Sequence, residues 1–178
     1  SVQELARVPL IVRLPGGEKG GRRVDEFVQP ADLMPTILDL AGIEAPNTVQ
    51  GTSLVPLVEG QAKSLREGAI SSWSIIHGSK AWRPSTITVD EWALIYAGQV
   101  STEEGHPTTP VVDSVPRTEE LPLGPSGPEL YHLSKDPAQS ANVFDLNTDV
   151  AKQLHALYLK FLRKANTPEQ FLKCRMNI

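Results

Sequence analysis

The pattern of apolar and polar positions changes period along the chain. Residues 8–14 (V-P-L-I-V-R-L) are almost continuously apolar through Val8, Leu10, Ile11, Val12 and Leu14. A run of that kind predicts a strand covered on both faces. Pro9 lies near its start, where a missing N–H is tolerated, and Pro15-Gly16-Gly17 ends it. The period then lengthens. Over residues 31–41, Leu33, Ile37, Leu40 and Ala41 share one helical face, widened by Met34 and Leu38. Pro30 suits the first turn and Asp32 suits the positive end of the helix dipole. Pro35 is tolerated only within that first turn. Gly42 and Pro46 give the stop. Residues 54–58 read as a short helical turn. Residues 67–76, 85–89 and 92–97 are strand-like, with a turn at Asp90-Glu91, and predict an antiparallel meander that residues 129–133 complete. Asn147 or Thr148 opens a last long helix. It places Val150, Leu154, Leu157 and Phe161 on one face, and Lys152, Lys160, Arg163 and Lys164 on the other face and in the last turn. Thr167-Pro168-Glu169-Gln170 reads as a capping box before a short terminal helix.

These elements predict an α/β chain in two parts. Residues 1–62 hold one strand–helix unit. Residues 63–178 hold a small antiparallel sheet packed with the C-terminal helix. Within the second part, residues 99–128 contain Pro107, Pro110, Pro116, Pro122, Pro125 and Pro128, which predicts an irregular excursion over the surface. Residues 1–6 read as a helix end or loop leading into the first strand, so the sequence reads as starting inside a larger protein.

Bulk properties narrow the function. The chain has 178 residues, 40% hydrophobic and 21% charged, with a net charge of −4. That balance argues against a nucleic-acid partner, which needs a basic surface to neutralise phosphates. No run of eighteen apolar residues is present to span a membrane. Cys174 is the only cysteine, so an internal disulfide and a thiolate metal site are both excluded. Lys173 and Arg175 beside it would favour a thiolate, but no base is in evidence, and an incidental thiol is the better reading.

The motif Arg7-Val8-Pro9-Leu10-Ile11-Val12-Arg13 is followed by Asp32-Leu33-Met34-Pro35-Thr36-Ile37-Leu38-Asp39-Leu40-Ala41-Gly42-Ile43. Gln50-Gly51-Thr52-Ser53-Leu54 and Trp92-Ala93-Leu94-Ile95-Tyr96 come next, then Glu129-Leu130-Tyr131-His132-Leu133-Ser134-Lys135-Asp136-Pro137 with Asn142-Val143. In this order the pieces resemble the C-terminal portion of the sulfatases, members of the alkaline-phosphatase superfamily. The resemblance implies the last strand–helix unit of a catalytic sheet followed by a smaller subdomain. It also implies a parent hydrolase acting on a small-molecule or sugar sulfate ester with a divalent cation, calcium. The family's C/S-x-P-x-R nucleophile motif, its calcium-binding carboxylates, its D-H-G or D-N-G motif and the following Lys are not in this sequence. Sulfate-ester cleavage needs a nucleophile, a cation and an acid, so no catalytic residue and no metal ligand is assigned, and the chain alone is expected to be inactive.

The same resemblance places loops of this subdomain beside an active-site cleft. His77, Trp82 and Arg83, on a loop between strands, are the candidate substrate contacts, since an Arg beside a Trp suits an anion or a sugar. The structural alternative has Trp82 capping the core and Arg83 in an ion pair. His106 and His155 read as solvated, and His132 stands where the family often has Asp. Two rival readings remain: part of a phosphate or phosphonate ester hydrolase of the same superfamily, or a non-catalytic packing or interaction module. A doubly covered strand without its sheet would expose backbone and apolar side chains. Self-association through residues 8–14, or their rearrangement, is therefore expected.

Overall fold

The computed structural model describes residues 8–17, 20–72, 84–98 and 127–178. The chain divides into two compact units, Ser1–Ala69 and Ile70–Ile178.

In the first unit a 3-10 turn, Pro30–Asp32, runs into helix α1, Leu33–Leu40. Pro35 falls within the first turn of α1, where its missing N–H costs no hydrogen bond. Gly42 takes a left-handed φ of 70° and closes the helix, and the Ile43 amide donates back to the Leu38 carbonyl at 2.9 Å. Helix α2, Val55–Glu59, follows after a short link and ends at Gly60, also left-handed. The packing of α1 corrects the sequence expectation. Its buried positions are Pro35 and Thr36, whereas Ile37 and Leu40 are 66% and 53% exposed. The apolar stripe that defines the helix in sequence has no cover among the described residues.

Residues 8–14 also depart from expectation. They form no strand, and Val8 and Ile11 are 75% and 90% exposed. A strand exists through its ladder, and among the described residues no neighbouring strand pairs with this segment. Its apolar character is real, but the hydrogen bonds that would turn it into a strand are not supplied.

In the second unit β1 (Ala69–Ser72), β2 (Pro84–Val89), β3 (Trp92–Ala97) and β4 (Glu129–His132) form one sheet in the order β1-β2-β3-β4. The β2–β3 hairpin is antiparallel from Pro84↔Ala97 to Val89↔Trp92, turning at Asp90 with φ 48°, and β4 pairs antiparallel with β3 from Trp92↔His132 to Ile95↔Glu129. Helix α3, Thr148–Lys164, packs on the sheet and α4, Glu169–Lys173, follows it. The core joins Ile87, Leu94, Tyr96 and Leu130 from the sheet to Ala151, Leu154, Tyr158 and Leu159 from α3. The face of α3 that is buried is thus rotated from the one the periodicity favours. Leu154 is shared, but Tyr158 and His155 are inside, and Val150, Leu157 and Phe161 only flank the core. The expected capping box before α4 does not form: its N-cap is Pro168, with no side-chain cap.

Candidate functional site

Asp32 is the centre of the first unit. It is fully buried, and a buried carboxylate must be paired and hydrogen-bonded. Its Oδ2 accepts from the Gln29 amide at 2.7 Å and its Oδ1 from the Thr52 amide at 2.9 Å. The Arg66 guanidinium closes the group, donating from Nη2 to Asp32 and from Nη1 to Gln29 Oε1. One turn on, Thr36 Oγ1 donates to the Asp32 carbonyl and accepts from the Leu54 amide at 2.9 Å. Residues 51–54 are therefore strapped onto the start of α1. Gly51 lets the strap close, because a Cβ there would sit 1.9 Å from the Ala31 carbonyl oxygen. Three donors on its two oxygens, from Gln29, Thr52 and Arg66, give Asp32 a structural role.

The closing signature at 129–143 is a second latch. The Asn142 side chain accepts from the Leu130 amide and from the Phe144 amide, each at 3.0 Å, and donates to the Pro128 carbonyl at 3.3 Å. It thereby ties the following loop to β4. Asp136 accepts from the Ala141 amide at 2.9 Å, the Ser140 amide at 2.8 Å and the Ser140 hydroxyl at 3.0 Å. These donors, the Ala141 amide foremost, hold its carboxyl below the usual range. Tyr131 donates to Glu129 at 2.9 Å. Burial first, then Glu129, push its phenol up to about 12.

A third polar cluster holds the C-terminus. The buried Arg175 donates from Nη1 to the Tyr158 hydroxyl at 2.8 Å and lies 3.4 Å from Ser85 Oγ. Its carbonyl accepts from the Tyr96 hydroxyl and stands 2.8 Å from His155 Nε2. Burial first, and then Tyr158, raise the Tyr96 phenol well above the ordinary tyrosine range, although the Arg175 guanidinium acts the other way. His155 is only 6% exposed, so the expectation of a solvated histidine is overturned. Its partners come from 59 and 20 residues away, and helical periodicity carries no sign of them.

The candidate contacts His77, Trp82 and Arg83, like His106 and the Pro-rich stretch 99–126, lie outside the described residues. His132 stacks on Trp92 with ring centroids 4.5 Å apart and lies 3.7 Å from Glu91. Cys174 is half-buried, and its Sγ lies 3.5 Å from the Gln170 carbonyl. Among the described residues no three His, Cys, Asp or Glu side chains come together as a metal group. The described carboxylates therefore do not fit the divalent cation that the resemblance implies. No helix among the described residues is long and apolar enough to cross a membrane.

Residues 2–101 match the family described as N-sulphoglucosamine sulphohydrolase, C-terminal. Arylsulfatase K of Danio rerio is 30% identical over 156 residues, covering 85% of this chain and 25% of that protein. An N-acetylglucosamine-6-O-sulfatase of Bacteroides thetaiotaomicron is 40% identical over 62 residues, covering 35% of this chain and 11% of its own length. A solved structure in complex with its substrate D-glucosamine-2-N,6-O-disulfate shares the fold at a TM-score of 0.53 and 22% identity, covering 79% of this chain and 25% of that one. The chain spans about a quarter or less of the length of these relatives. It belongs to the sulfatase family, as the C-terminal portion that the N-sulphoglucosamine sulphohydrolase C-terminal family describes.

Proposed function

We propose that this chain is the C-terminal part of a hydrolase that cleaves sulfate esters of sugars, with glucosamine-type sulfates as the substrate class. The family match over residues 2–101 is the observation that carries this reading. In it, the nucleophile and the cation, calcium, belong to the rest of the enzyme, and this chain contributes no reacting group. Residues 1–62 close the catalytic α/β domain and residues 63–178 form the subdomain that follows it in sequence. The exposed apolar positions of the first unit, including Ile11, Ile37 and Leu40, supply the surface on which the catalytic part packs. Burying such side chains stabilises by about 25 cal/mol per Å², so a seam of this kind helps to hold the two parts together.

His77, Trp82 and Arg83 are proposed to contact the sugar or its sulfate. The test is a polypeptide in which this chain completes a sulfatase catalytic portion. It should release sulfate from a 6-O-sulfated glucosamine and lose affinity for it, with a raised KM, on Arg83→Ala. Preferential hydrolysis of a phosphonate monoester over the sulfate ester would replace this substrate class.

A further inference from the structure

Charge is unevenly distributed along this acidic chain. Residues 150–175 hold Lys152, Lys160, Arg163, Lys164, Lys173 and Arg175 against a single carboxylate, Glu169, although the net charge of the whole chain is −4. Arg175 is buried in the C-terminal clamp. The other five are exposed, four of them on α3. At 100° per residue, Lys152, Lys160, Arg163 and Lys164 fall within an arc of about 120°, on the side of α3 turned away from the core residues Leu154 and Tyr158, and they extend about 18 Å along the axis. Ala156, also exposed, stands between the first two and keeps the track low. Asp149 is the acidic residue on this stripe, at its N-terminal end. The helix dipole accounts for Arg163 and Lys164 in the last turn, but not for Lys152 or Lys160. Among the described residues Lys152, Arg163, Lys164 and Lys173 form no ion pair. A concentrated positive track raises the local concentration of an extended anion.

We infer that the exposed face of α3 is a docking surface for a linear sulfated polysaccharide, a polymeric form of the proposed substrate class. The choice of a sulfated glycan rests on the sulfatase reading. It is also favoured by the absence of an aromatic ring at the exposed positions 152, 156, 160, 163 and 164, which leaves no stacking platform for nucleic-acid bases.

The experiment uses the whole 178-residue chain on immobilised heparin. The chain should be retained at about 0.15 M NaCl despite its net negative charge, and released as salt screens the contacts. The variant Lys152→Gln/Lys160→Gln/Arg163→Gln/Lys164→Gln should bind heparin at least about tenfold more weakly, as a surface built from these contacts requires. Arg13→Gln/Arg23→Gln/Lys63→Gln/Lys135→Gln, which removes equal charge elsewhere, should bind as the native chain does. Circular dichroism melts of both variants show whether each is folded, and single substitutions along the stripe replace a variant that is not. Failure of the native chain to bind, equal weakening by the two variants, or equal affinity for duplex DNA would each overturn the inference. Heparin binding without sulfate release by the completed enzyme would keep the docking surface and remove the sulfatase reading. Sulfate release without heparin binding would do the opposite.

Discussion

Asp32 shows how a residue that local chemistry places at a helix start can hold the fold over long range. It lies in the most family-like motif of the chain, and the dipole argument accounts for only a small part of its placement. Its buried pairing with Arg66, 34 residues away, and its grip on the Thr52 amide are long-range facts that no local pattern records. Removing one partner of a buried pair costs about 3–5 kcal/mol. Asp32→Asn should therefore release the strap at residues 51–54, and amide exchange at Thr52 and Leu54 should accelerate accordingly. Unchanged protection at both amides would mean that Asp32 does not hold the strap.

Asp136 makes a second residue-scale prediction. Its folded carboxyl is held below the ordinary value of 3.8. Its contribution to stability is thus fully present above that pH and is lost as pH falls through the lower, folded value. Protection of the Ser140 and Ala141 amides should fall in that acidic window, and Asp136→Ala should abolish this pH dependence while leaving both amides poorly protected throughout.

At the scale of elements, what could be read from the sequence was what local chemistry decides. Gly42 ends α1, β3 runs over Trp92–Ala97 as expected of that strand-like run, and α3 begins at Thr148 after Asn147. What could not be read was which face each element buries, since that depends on partners distant in sequence. On α3 the clamp at Arg175 draws in His155 and Tyr158, neither of which hydrophobic periodicity selects. On α1 the stripe that the periodicity selects is exposed, and Pro35 and Thr36 are buried instead. A direct contrast follows. Leu94→Ala and Leu154→Ala, both in the core of the second unit, should each cost about 2–5 kcal/mol. Leu40→Ala should cost under about 1 kcal/mol in this chain, since Leu40 is largely exposed. Equal costs at Leu40 and Leu94 in denaturant titrations would mean that the α1 face is buried in this chain in solution.

At the scale of the whole molecule, the exposed large hydrophobic residues gather in the first unit, from Val8 to Ile43, with only Leu146 and Met176 elsewhere among the described residues. An apolar surface of that extent associates with whatever can cover it. In the proposed enzyme the catalytic part covers it. In the isolated chain a second copy is the available cover, with residues 8–14 offering unpaired backbone as well. Sedimentation should show self-association of the native chain and a raised monomer fraction for Ile11→Lys. A native chain that stays monomeric at high concentration would refute the seam.

The central claim is that the chain carries the fold of a sulfatase C-terminus and none of its reacting groups. The most direct measurement is hydrolysis of a chromogenic sulfate ester by the purified chain, with calcium supplied. The account predicts a rate indistinguishable from buffer. Turnover by the native chain that disappears in Cys174→Ala would contradict it and place the nucleophile at Cys174.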